Sequence, residues 1–132
     1  MRLILPLSPQ SKQRARITRS GHSYTPKATA QFERALRLMT AAHPLQQGAL
    51  SLDVTFVCAR PKRLTKSAPG RLPKTTRPDV DNYTKALLDG LQGSLFDDDA
   101  QLVEVRARKV YAALDELPCI ELELLPYLGE TA

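Results

Sequence analysis

Acid is what the first part of this chain lacks. Across residues 1–78 only Glu33 and Asp53 carry negative charge, against 15 Lys and Arg, a net of +13. From residue 79 onward the balance is −8, and together the two parts give the +5 of the 132-residue chain. A strongly basic half points to a polyanion such as nucleic acid. An acidic half beside it opposes that binding unless some of its carboxylates are neutralised, and a bound cation would do so.

Other absences narrow the class. No apolar run approaches the roughly 18 residues of a membrane span. Leu3, Ile4, Leu5 and Leu7 near the start are too few for a signal sequence and lack a cleavage site, so the expectation is a cytoplasmic protein. There are two cysteines, Cys58 and Cys119, with no Cys or His at metal-ligand spacing. They read as buried, reduced thiols inside strands rather than a zinc site. The two histidines, His22 and His43, both fall in the basic half and support no Ser-His-Asp set. A Gly-Lys-Ser/Thr phosphate loop is missing, as is any internal repeat. With 42% apolar residues, 132 residues suit one domain spanning 1–132.

What is present divides into elements and two cationic segments. Residues 2–7 read as a first strand. Residues 10–27 are loop-like and hold Lys12, Arg14, Arg16, Arg19 and Lys27 without an acid. Thr25 as N-cap and Pro26 at the first helical position predict a helix, with Ala28, Phe32, Ala35, Leu36, Leu38 and Met39 on its apolar stripe and Glu33 four residues before Arg37. His43 and Pro44 end it. Residues 50–58 alternate as a half-buried strand with a solvated Asp53 on the polar face. Residues 61–78 are a second basic segment, with four prolines and Lys62, Arg63, Lys66, Arg71, Lys74 and Arg77. So long a stretch without periodicity is expected to be a DNA-embracing arm, disordered when free.

A second helix is expected over 81–92, with Tyr83, Leu87 and Leu91 toward the core. Asp81, Lys85 and Asp89 form one polar stripe about 12 Å long at 1.5 Å per residue. Strands follow over 101–112 and 118–125. The order is β-α-β-(long basic loop)-α-β-β, an α/β (α+β) fold: a mixed β-sheet of about four strands with two main helices.

Two acidic clusters flank the second helix: Asp79 and Asp81 at its entrance, and Asp97, Asp98 and Asp99 beyond its exit. Asp-x-Asp alone is a weak signal. An aspartyl-phosphate enzyme needs it after an apolar strand, whereas Thr75, Thr76, Arg77 and Pro78 precede this one. An EF-hand needs further acids at fixed spacing and a Glu twelve residues on, and neither follows. Crowded carboxylates that share no such loop still suit a divalent cation, and phosphodiester hydrolysis is chemistry that such a cation promotes.

The combination of Asp79-x-Asp81-Asn82-x-x-Lys85, Asp89 along the helix, and Asp98-Asp99-Ala100-Gln101 before a strand resembles the RusA family of Holliday junction resolvases. The match is clear over residues 77–110. The resemblance implies an α/β fold, a homodimer, and metal-dependent cutting of four-way DNA junctions, with Mg²⁺ or Mn²⁺ as cofactor. It places the metal ligands at Asp79, Asp81 and Asp99, with Asp98 as the alternative to Asp99, and the catalytic lysine at Lys85. Asp89 and Asn82 take supporting roles. The cations of the two basic segments would then hold branched DNA by shape and phosphate contact. The competing readings are a non-catalytic nucleic-acid-binding module, whose acids are caps and solvated charge, and a phosphohydrolase acting on small nucleotides.

Overall fold

The computed structural model describes residues 1–12 and 16–129. Arg14 lies outside them, and Arg16 is described by its backbone alone. The framework is a five-stranded mixed sheet of β1 (Arg2–Leu5), β4 (Leu50–Cys58), β5 (Leu72–Pro73), β6 (Leu102–Tyr111) and β7 (Cys119–Pro126), in the spatial order β1-β7-β4-β6-β5. A small hairpin of β2 (Arg16–Ile17) and β3 (Ser23–Tyr24) stands apart from it. Two helices complete the fold, α1 (Lys27–Thr40) and α2 (Val80–Leu91).

β4 is the centre. It runs antiparallel to β7 and parallel to β6, and the parallel pairing needs a crossover, which α2 supplies. Leu50, Leu52, Val54, Phe56 and Cys58 alternate onto one face and join Leu5, Ile120, Leu122 and Leu124 of the neighbouring strands. Phe32 and Leu36 of α1 and Tyr83, Leu87 and Leu91 of α2 cover that face. Burying each of these large side chains stabilises the fold by about 1.5–3 kcal/mol. The opposite face is not uniformly wet. Val57, Ala112 and Cys119 form a second, smaller buried cluster there, so the end of β4 is covered on both sides.

The helices meet at a glycine. A Cβ on Gly90 would collide with Cδ1 of Leu36, so α2 can approach α1 this closely only without a side chain. Thr40 ties the same pair lower down: its hydroxyl donates to the Leu36 carbonyl at 2.8 Å and lies 2.6 Å from Ser94 Oγ.

Several expectations are corrected. α1 starts at Lys27 with Pro26 in the cap position and no side-chain cap bond, so Thr25 is not the N-cap. It ends at Thr40, before His43. The sheet has a fifth strand because Leu72 and Pro73 pair with Tyr111 and Val110. The basic segment that contains it has a fold of its own. Arg60 donates to the carbonyls of Leu64, Ala68 and Gly70, and a short 3₁₀ turn covers Lys62–Leu64. Asp53 is not merely solvated: both of its oxygens accept from Arg108, at 2.7 and 3.2 Å. That fork holds the Asp53 carboxyl below the usual carboxylate range. Both cysteines are buried and free, as expected.

Candidate active site

The entrance of α2 is built by the segment that precedes it. Lys74 Nζ donates to Thr76 Oγ1 at 2.7 Å, to the Thr76 carbonyl at 3.3 Å and to the Arg77 carbonyl at 2.8 Å. Lys109 Nζ, arriving from β6, donates to the carbonyls of Thr76 and Pro78 at 2.7 and 2.8 Å. All three carbonyls ahead of Asp79 therefore face an ammonium group, and the Tyr111 hydroxyl closes on Thr76 Oγ1 at 2.8 Å. Asp79 then takes an extended conformation, φ −68° and ψ 155°, and its carbonyl accepts from Asn82 and Tyr83 to start the helix. Its carboxylate is not used as a cap and stays exposed. One turn in, Tyr83 stacks on Phe56 with ring centroids 5.4 Å apart and accepts from the Cys58 thiol at 3.6 Å. Burial, and then that contact, push the Tyr83 hydroxyl upward, so it stays protonated and serves as an anchor.

The exit of α2 is held as firmly. Phe96 is fully buried and plugs the turn between α2 and β6. The Gln101 amide then does four things at once: its oxygen accepts from the N–H groups of Asp97 and Asp98 at 2.9 and 3.1 Å, and its nitrogen donates to the carbonyls of Gln46 and Gly48 at 3.1 and 3.0 Å. Asp98 turns its carboxylate inward to cap the Ala100 N–H at 2.9 Å. Asp99 donates its own N–H to Gln92 Oε1 at 3.2 Å and keeps its carboxylate exposed.

Between the two ends lies a groove of about 610 Å³. Asp81, Thr84, Lys85, Leu88 and Asp89 of α2 line one wall, Val105 and Ala107 of β6 the other, and Asp99 belongs to the same lining. Asp81, Lys85, Asp89 and Asp99 thus share one groove, with Asp79 just ahead of it. They do not converge. Asp99 is hydrogen-bonded to Gln92 at the exit of α2, whereas Asp79 and Asp81 stand at its entrance. Among the described residues, no three acidic, His or Cys side chains come close enough within the chain to hold a metal ion. As donors, the acids are nonetheless hard oxygens, which suits Mg²⁺ rather than zinc.

The cations divide into free and committed. Lys85 is exposed on the groove wall and has no ion pair among the described residues. Asp89 pairs with Lys12 at 2.6 Å, and that hydrogen bond raises the affinity of Lys12 for its proton. Residues Pro9, Gln10 and Ser11 border Pro78 and Tyr83, so the segment leading to Lys12 passes beside the α2 entrance. Arg71 grips Glu116 at 2.6 and 3.0 Å and Glu121 at 2.8 Å, which leaves its guanidinium little freedom for another anion. Lys74 is turned inward onto carbonyls. Arg19, Lys27, Lys62, Arg63, Lys66 and Arg77 are exposed and have no ion pair among the described residues. Asn82 is exposed beside Asp81, whose Oδ1 accepts the Asn82 N–H at 3.0 Å.

Sequence reading passed over Lys109, Gln92 and Gln46, and saw Gln101 only as part of a motif. Nothing local marks these residues. Apart from the bonds of Gln101 to Asp97 and Asp98, four and three positions away, their partners lie 7 to 55 positions away, so the fold is needed to show that they aim the acids.

The chain matches the family described as Endodeoxyribonuclease RusA over residues 6–124, nearly its whole length. It is 31% identical over 111 residues to a Bacillus subtilis (strain 168) protein, "Uncharacterized protein YqaN", with 76% of each chain covered. Among the described residues no helix is long and apolar enough to cross a membrane. The chain belongs to the RusA family of endodeoxyribonucleases, the Holliday junction resolvases.

Proposed function

We propose that this chain resolves four-way DNA junctions by hydrolysing phosphodiester bonds with Mg²⁺, as a homodimer, in cytoplasmic recombination and repair. The observation that carries the reading is the groove: exposed carboxylates of Asp81 and Asp99 share it with Lys85, which has no ion pair among the described residues, in a chain whose family is an endodeoxyribonuclease. Asp79 and Asp81 at one end would hold the ion, and Asp99 rather than Asp98 would join them, because the Asp98 carboxylate is occupied as a cap. Bound there, Mg²⁺ supplies an activated water and neutralises charge at phosphorus.

The protein's own groups do the rest. Lys85 lies one turn from Asp81, where its ammonium offsets the charge that grows on the phosphoryl oxygens. Exposed Arg19, Lys27, Lys62, Arg63, Lys66 and Arg77 hold the backbone without reading bases. Two cuts in opposing strands call for two equivalent sites, which a two-fold dimer presents to a pseudo-two-fold substrate. The separation of the acidic clusters gives the dimer a further role. If two grooves lie antiparallel, Asp99 of the partner subunit comes to the Asp79–Asp81 end.

Incubating the protein with a labelled synthetic junction and with linear duplex, in Mg²⁺ or in EDTA, tests this. Metal-dependent nicks confined to the branch are expected. Tight junction binding without cutting in any metal would make the acids caps and surface charge, and the chain a binding module.

A further inference from the structure

β6 has one finished edge and one open edge. Along its length it pairs with β4, but among the described residues the other side meets only β5, through Val110 and Tyr111, followed by a single bond from the Lys74 N–H to the Lys109 carbonyl. Val103, Glu104, Val105, Arg106 and Arg108 are exposed. An edge of this kind carries a row of unpaired N–H and C=O groups and is a template for another strand. It carries the charges of Glu104, Arg106 and Arg108, but the stretch has no proline, and its first lysine is Lys109, which is turned onto the Thr76 and Pro78 carbonyls. We propose that this edge pairs antiparallel with β6 of a second copy, about a two-fold axis through Val105.

The register follows from the chain. The Lys109 carbonyl points to the open edge, and backbone groups alternate along a strand, so those of Ala107 and Val105 point there too. A two-fold axis can fall on one of these residues, as a hydrogen-bonded pair, or between them, as a non-hydrogen-bonded pair, but centring on Glu104, Arg106 or Arg108 would set that charge against its own copy. Centred on Val105, it sets Val105 against its own copy, where the two residues exchange both hydrogen bonds. It then sets Glu104 against the partner subunit's Arg106, and Arg106 against the partner subunit's Glu104. Centring on Ala107 would oppose Arg106 and Arg108, two like charges. Centring on Val103 falls on the irregularity where the β4–β6 register shifts, and would set Glu104 against an apolar leucine. The Val105 register pairs opposite charges without opposing any like pair, and directly opposed unlike charges stabilise a sheet whereas like charges destabilise it.

The side chains are available for this. The Arg106 side chain is 74% exposed, and its one ion pair among the described residues is a loose 3.9 Å contact with Glu104. On the other face Val105, 40% exposed, would meet its own copy, and Val103, 54% exposed, would meet the partner subunit's Ala107. The pairing puts both helical layers on one side of a continuous sheet, with the two grooves flanking the axis. The inference rests on the homodimer reading and names its surface.

Sedimentation velocity over a dilution series tests it with the full chain, Glu104→Arg, Arg106→Glu and the double variant. Each single change opposes like charges and should raise the dimer dissociation constant at least about tenfold. The double change restores opposite charges and should bring the constant back near the wild-type value. Circular dichroism controls for folding, since both side chains are exposed. Dimers as tight in both single variants as in wild type would overturn this surface while leaving the homodimer in place. So would single variants that dissociate without rescue in the double. A wild-type chain that is monomeric yet cuts junctions in paired fashion would overturn the homodimer itself.

Discussion

Lys109 Nζ lies 2.8 Å from the Pro78 carbonyl and 2.7 Å from that of Thr76, so a residue of β6 sets the conformation of the chain just ahead of Asp79. The ammonium replaces the water that these carbonyls would otherwise need, and Lys74 does the same from the other side. Lys109 is thus a positioning residue. Lys109→Met should lower kcat for junction cleavage by about tenfold or more, with little change in junction affinity. Lys109→Arg should recover part of it. Equal kcat in Lys109→Met would show that the Asp79 turn holds itself.

The two neighbouring acids at the far end should behave differently. Asp99→Asn should abolish metal-dependent cleavage, while Asp98→Asn, which keeps a good capping side chain, should retain most of it. The reverse order of effects would exchange their roles.

Sharing of acids between subunits has its own signature. Asp81→Asn and Asp99→Asn are each expected to be inactive alone. Mixed and allowed to exchange subunits, they should regain nicking of one strand, because one groove then has both acids intact. No recovery from mixed dimers of confirmed stability would mean that each chain completes its own site.

Much of this architecture was legible before the fold was seen, and the residues that were not share a cause. β4 keeps its expected bounds of Leu50–Cys58 because strict alternation along a central strand is a strong local signal. α2 follows from Tyr83, Leu87 and Leu91 for the same reason. A two-residue strand such as β5 has no period to read, so the basic segment around it looked unstructured. Its order comes from Arg60 reaching carbonyls up to ten residues ahead and from Arg71 meeting Glu121 50 positions away. The acids themselves were visible as types and spacing. Their placement at opposite ends of the groove depends on the length of α2 and on Gln92 and Gln101 holding the far turn.

Gly90 provides a test of the packing. Gly90→Ala puts a methyl group into Leu36, and overpacking of this kind costs about 1–3 kcal/mol. Urea denaturation should show it as a lower midpoint with an unchanged slope. A midpoint at or above that of wild type would mean that α1 can move aside.

Acid should weaken the fold through Asp53 and Glu116. Arg108 and Arg71 hold these carboxyls below their ordinary values, so each binds its proton less readily folded than unfolded. Their contribution is full above the ordinary carboxylate range of about 4 and is lost as pH falls through the folded values. Partial exposure keeps it modest. Asp53→Asn with Glu116→Gln should flatten the fall in melting temperature below about pH 4.5. An unaltered profile would assign acid sensitivity to other carboxylates.

The most direct measurement is cleavage of a four-way junction by wild type and by Asp81→Asn, in Mg²⁺, beside a binding assay on the same preparations. The account predicts paired nicks by wild type, at least about 100-fold less cleavage by Asp81→Asn, and junction binding by the variant at least as tight, since a negative charge beside phosphate is gone. Undiminished cleavage by Asp81→Asn would contradict it.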